Sequence, residues 1–145
     1  MKPQNTASKE GRPPKPPRKR FTPCEANRAL VYVRKIVQDI VDSYAEFMRL
    51  RDVLEESDRS HTFQDRFERV RRRAQHLADR LNQLKDELHE VGCELKDWSQ
   101  GLVDFPSSRS GADVALCWKL GEPEVAYWHD ADDGFRGRKS IDSAF

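Results

Sequence analysis

The chain has 145 residues, enough for one domain of ordinary size, and 37% of them are hydrophobic against 35% charged. That lean apolar fraction suits long solvated helices, and a net charge of only +1 removes any global electrostatic case for binding nucleic acid or membranes. No apolar run approaches the roughly 20 residues of a membrane span, and three cysteines without CxxC spacing make neither a disulfide framework nor a zinc knuckle.

Charge is distributed unevenly. Residues 1–20 hold seven Lys/Arg against one Glu, residues 21–92 thirteen against fourteen, and residues 93–145 six against ten acids. Three parts follow: a basic arm (1–20), a neutral helical hairpin (21–92) and an acidic β-module with an irregular tail (93–145). The arm contains five of the eight prolines, including the run Arg12-Pro13-Pro14-Lys15-Pro16-Pro17-Arg18-Lys19-Arg20. Missing backbone donors and like-charge repulsion predict an extended, disordered segment. It is either a solubilising tail, the commoner case, or a tether for nucleic acid through Arg12–Arg20. The N-terminus has no hydrophobic core of a secretory signal, so reduced thiols in a cytoplasm are expected.

The first helix opens on a capping box. Thr22 caps, Pro23 takes the first helical position, and Glu25 stands three after Thr22. Apolar residues then recur at Ala26, Leu30, Val33, Val37, Ile40, Tyr44, Phe47 and Leu54, the alternating four-three spacing of a seam packed lengthwise on another helix. The pattern predicts a helix over 23–57. A second seam runs Phe63, Phe67, Val70, Ala74, Leu77, Leu81, Leu84, Leu88, Val91, with Ser60 or Thr62 to start it and Gly92 to end it. So short a connection permits only an antiparallel return. Helix one also carries extra apolar residues, Ala29, Val31, Tyr32, Ile36, Val41 and Met48. Most belong under the chain that follows Gly92; Val41 and Met48 lie further along and can instead face a second subunit.

After Gly92 the period changes. Leu102–Phe105 reads as a strand ended by Pro106, Ser107–Gly111 as a loop, Val114–Lys119 as a second strand and Glu124–Trp128 as a third after the Gly121-Glu122-Pro123 turn. The last ten residues read as largely irregular. The expected fold is α+β, mainly α: a long antiparallel, coiled-coil-like two-helix hairpin capped by a small antiparallel three-stranded β-meander.

Polar residues with chemical potential crowd this module. Asp104, Glu122, His129, Arg136 and Arg138 are the candidate ligand-binding set, and Cys117, His129 and Glu122 are the candidate metal ligands, being the donor types zinc and iron accept. Their spacing matches no known ligand signature, and solvated carboxylates with buried structural cysteines are the commoner source of such a pattern. Gly134-Phe135-Arg136-Gly137-Arg138 sets two arginines among glycines, a combination suited to an anion, although pairing with neighbouring acids competes. A Cys117–His129 nucleophile pair is conceivable but lacks an orienting third member. Trp118, Tyr127 and Trp128 either line a pocket or, as is commoner in a small sheet, form core. No phosphate loop, GxSxG elbow or HExxH is present. No cofactor is required, and a divalent metal is compatible with the residues.

Phe21-Thr22-Pro23…Glu25-Ala26-Asn27, Gly92-Cys93-Glu94-Leu95-Lys96-Asp97, Gly101-Leu102-Val103-Asp104-Phe105-Pro106, Leu116-Cys117-Trp118, Leu120-Gly121-Glu122, Tyr127-Trp128-His129 and Gly134-Phe135-Arg136-Gly137-Arg138 resemble a prokaryotic domain-of-unknown-function family of small proteins. The resemblance spans about residues 21–139 and leaves the arm outside. It implies the fold and no mechanism, and it marks Asp104, Cys117, Glu122, His129, Arg136 and Arg138 as pattern positions. Cys24 departs from the acidic residue that pattern expects. Three readings follow in order: a self-associating hairpin scaffold binding a second copy or a helical protein partner, a small enzyme or ligand- or metal-binding module, and a nucleic-acid binder acting through the arm.

Overall fold

The computed structural model describes residues 19–60, 64–143 and 145. The arm up to residue 18 and the start of the second seam at Phe63 lie outside the described residues. Helix α1 spans Pro23–Ser60 and helix α2 Gln64–Val91, lengths of about 57 and 42 Å at 1.5 Å per residue. The capping box forms as expected: Thr22 N–H donates to Glu25 Oε1 at 3.2 Å and Glu25 N–H to Thr22 Oγ1 at 3.1 Å. At the far end Gly92 adopts φ +108°. Its N–H bonds the His89 carbonyl, and Cys93 N–H reaches back to Leu88, which closes α2 with a Schellman motif.

Both seams are realised. Ala26, Leu30, Val33, Val37 and Ile40 of α1 are buried, as are Ala74, Leu77, Leu81, Leu84 and Leu88 of α2. One face of the sheet completes this core with Val103, Phe105, Leu116, Trp118 and Trp128. The surplus face of α1 is mostly covered from within the chain, because Ala29, Ile36 and Val41 pack against the same cluster. Val41 belongs there because the β1–β2 turn reaches along α1: a Cβ on Gly101 would lie 2.8 Å from Val37 Cγ1 and 3.1 Å from Val41 Cγ2. Trp98 of that turn stacks on Tyr44. Val31 and Tyr32 remain exposed.

The sheet has five antiparallel strands in sequential order: β1 (Glu94–Asp97), β2 (Leu102–Arg109), β3 (Ala112–Lys119), β4 (Tyr127–Asp130) and β5 (Lys139–Ser140), with a 3-10 turn at Phe135–Gly137. The expected meander of three strands therefore gains a strand at each edge. Both additions are too short and too polar for alternation to show. Pro106 does not end β2. Its carbonyl accepts from Phe21 N–H at 2.7 Å, so its nitrogen faces the same free edge, beyond the point where β1 stops pairing. The anticipated Ser107–Gly111 loop shrinks to a two-residue hairpin turn at Ser110 and Gly111, both at positive φ, which suits the strand twist.

The third expected strand shifts from Glu124–Trp128 to Tyr127–Asp130. Helix α1 intercepts residues 123–125 first. Asn27 Oδ1 accepts from Val125 N–H at 2.7 Å, Asn27 Nδ2 donates to the Val125 carbonyl, and Arg34 donates to the Pro123 carbonyl. The Asn27 side chain thus satisfies the backbone that a neighbouring strand would have taken. Among the described residues, no helix is long and apolar enough to cross a membrane.

Candidate metal centre on the outer face of the sheet

Directly opposed residues of antiparallel strands share a face. Asp104 on β2 opposes Cys117 on β3. His129 on β4 opposes Ala115, two residues from Cys117. The three side chains therefore share the face turned away from the helices, out of phase with the core residues Val103, Leu116, Trp118 and Trp128. All three are buried nonetheless, at 6%, 0% and 3% exposure for Asp104, Cys117 and His129. One ligand atom from each lies within 4.8 Å of the other two.

The hydrogen bonds narrow what this cluster is. His129 Nδ1 lies 2.8 Å from the Asp130 carbonyl. A carbonyl oxygen only accepts, so Nδ1 carries a proton and donates it. Nε2 then faces the Asp104 carboxylate, 3.1 Å from each oxygen. Such a contact is attractive when Nε2 or the carboxyl carries a proton, or when both present lone pairs to a shared cation. Burial, reinforced by the Asp104 carboxylate, pushes the Cys117 thiol up to about 12, with Arg138 opposing.

The sequence-derived set therefore separates. Asp104 and His129 meet, and Cys117 joins them. Glu122 is drawn away: its Oε1 accepts from Lys119 N–H at 2.7 Å and from Arg138 Nη2 at 2.6 Å, and its carbonyl accepts from Trp118 Nε1. It clamps the β3–β4 turn and takes no part in the Asp104–Cys117–His129 cluster. Arg138 is equally engaged, donating to the Cys117 carbonyl at 3.3 Å and lying over the rings of Tyr127 and Phe135. Arg136 is exposed and stands apart. Of the two arginines in the glycine-flanked stretch, only Arg138 is tied down by an acid, Glu122, and the space beside Gly134 is open. The space beside Gly137 is filled by Asp133 of the same chain, 2.8 Å from where a Cβ would sit. Trp118 and Trp128 are core residues.

The Cys117–His129 nucleophile pair gains its third member in Asp104 but not its chemistry. Both imidazole nitrogens are already engaged, and a thiol held near 12 is not an attacking group at neutral pH. Asp104 also lines a pocket of about 360 Å³ with Arg20, Glu94, Lys96, Pro106 and Ala131. Sequence reading placed Arg20 in the basic arm and did not single out Lys96; that both line this pocket depends on where β1 and residue 20 end up beside β2.

Comparison with known proteins gives one finding. No curated protein and no solved structure matches the chain. The family model described as Uncharacterized conserved protein (DUF2203) matches residues 19–141, from the residue before Arg20 through the last strand, and so the chain belongs to that family.

Proposed function

We propose that this protein is a binding module for a divalent transition-metal ion, held by Asp104, Cys117 and His129. The carrying observation is the His129 ring. Its Nδ1 proton is committed to a backbone carbonyl while Nε2 is aimed at a buried carboxylate, with a buried thiol alongside. Histidine ligands of metals commonly donate their second ring N–H to a carbonyl in this way, which fixes the tautomer and the ring orientation. The separation also fits. Bonds of about 2.0–2.1 Å in tetrahedral geometry set neighbouring N and O donors roughly 3.3 Å apart, close to the 3.1 Å present. Charge favours a dication, because a carboxylate and a thiolate neutralise it in a site with little water. Arg138 and Glu122 form their own neutral pair beside it. Nitrogen, oxygen and sulfur donors together suit zinc or iron better than calcium or magnesium.

The test is elemental analysis of the purified protein, followed by cobalt substitution. A thiolate-to-cobalt charge-transfer band that disappears in Cys117→Ser supports the reading. Its absence at micromolar protein with excess cobalt, together with no copurified metal, leaves a buried hydrogen-bonded His129–Asp104 pair as the explanation of the geometry.

Self-association is a second reading, motivated by Val31 and Tyr32, which stand 66% and 71% exposed on α1. Light scattering tests it: a dimer that Tyr32→Glu converts to monomer supports it, and a wild-type monomer ends it. A cytoplasmic location accords with this chemistry, since reduced thiols are required at Cys117.

A further inference from the structure

The outer face of the sheet is turned away from the helices, yet Asp104, Cys117 and His129 on it are buried. The chain between β4 and β5 crosses that face. It leaves β4 at Asp130, where Asp133 N–H bonds the Asp130 carbonyl, passes through the Phe135–Gly137 turn and rejoins the sheet at Lys139. Near its start, Ala131 lines the 360 Å³ pocket together with Asp104. Near its end, Arg138 donates to the Cys117 carbonyl and lies over the ring of Tyr127, the residue opposite Cys117 on β4. Phe135 completes the crossing. Arg138 lies over its ring, and so does Lys119, which stands two residues from Cys117 on the same face of β3. The contacts of this segment thus run from the Asp104 side of the cluster to the Cys117 side.

Resting on the metal-binding reading, we infer that residues 131–138 are a strap over the Asp104–Cys117–His129 cluster, latched by the Glu122–Arg138 ion pair, and that its opening sets how fast a divalent ion enters and leaves. The latch is the firm point. Glu122 Oε1 and Arg138 Nη2 lie 2.6 Å apart, on side chains 23% and 13% exposed, and Glu122 is itself anchored to β3 through Lys119 N–H. The rest of the strap is lightly held. Residues 131–136 are exposed, and β5 beyond them is two residues long. Segments that bury so little apolar surface open locally at a small fraction of the global stability. None of the three proposed ligands belongs to the strap. The latch therefore favours the closed form with and without metal alike, and breaking it raises entry and exit by one factor while the affinity stays where it was.

The experiment uses the full chain stripped of metal with EDTA. Loading is followed by stopped flow at the thiolate–cobalt band, and release by mixing the cobalt form with EDTA. Opening of the metal-free strap is read from iodoacetamide modification of Cys117, located by peptide mass mapping. Glu122→Gln and, at an exposed position, Phe135→Ala are each expected to speed loading and release about tenfold at unchanged Kd, and to speed Cys117 modification in step. Rates equal to wild type in both variants overturn the strap, send the ion past Asp104 from the pocket and leave the metal-binding reading standing. Faster release with unchanged loading also overturns it, because Glu122 and Phe135 would then support the ligands instead of gating them. No cobalt band in any variant overturns both readings, whatever Cys117 modification shows.

Discussion

Replacing Gly101 by alanine tests how the sheet is seated on the hairpin. Gly101 ends the β1–β2 turn at φ +72°, donates to the Asp97 carbonyl and accepts from Leu120 N–H. A left-handed backbone costs a non-glycine residue about 1 kcal/mol. The added methyl would also stand 2.8 Å from Leu120 Cβ and 2.8 Å from Val37 Cγ1, inside the distance real carbon pairs adopt. Overpacking of that kind costs a further 1–3 kcal/mol or so, giving about 2–4 kcal/mol in all. Gly111 supplies the control. It has φ +79° but no atom within 4 Å of the built Cβ, so Gly111→Ala carries the backbone cost alone, about 1 kcal/mol. Urea unfolding of both variants, followed by circular dichroism and tryptophan fluorescence, measures the difference. Equal losses in the two variants would refute the reasoning, because the contact of Val37 and Val41 with the turn would then contribute nothing.

Thiol reactivity is expected to divide cleanly, since Cys24 is exposed while Cys93 and Cys117 are buried; a maleimide should modify one thiol per native chain and three in denaturant, and prompt labelling of a second would contradict the burial. The Cys93 thiol gives a pH signature. Burial raises it from the ordinary 9.0 to about 12, so the unfolded chain ionises first. Stability from this group is complete below pH 9 and falls as pH rises from 9 towards 12. Cys93→Ala should reduce the slope of that part of the urea-midpoint profile, Cys117 supplying the remainder, and an unchanged slope would sink the assignment. Asn27→Ala removes both bonds to Val125 and should cost about 1–3 kcal/mol; hydrogen exchange at the Val125 amide should accelerate, and unchanged protection would show that another group holds residues 123–125.

The helical half was legible because its determinants are local. Each turn bonds residue to residue four apart, so the Thr22–Glu25 box, the two four-three seams and the Gly92 stop all lie in contiguous sequence and all formed. The sheet was read less completely. Val114–Lys119 announced itself by alternation, whereas Glu94–Asp97 and Lys139–Ser140 exist only because a neighbour offers them an edge. Pro106, a strand breaker by its own chemistry, is tolerated because its nitrogen faces the edge beyond the β1 pairing, where Phe21 bonds only its carbonyl.

The site shows the same division. Sequence supplied the donor types, Asp104, Cys117, Glu122, His129, Arg136 and Arg138, since only a few side chains carry such chemistry. It did not determine which of them meet. In a sheet a shift of one residue turns a side chain to the opposite face, so the union of Asp104 with His129, 25 positions away, depends on registers that no local pattern encodes. The same registers left Glu122 to Arg138 and Arg136 to solvent. Helix spacing is written along the chain; the pairing of strands, and with it the Asp104–Cys117–His129 cluster, arises only when distant backbones compete for one another's hydrogen bonds.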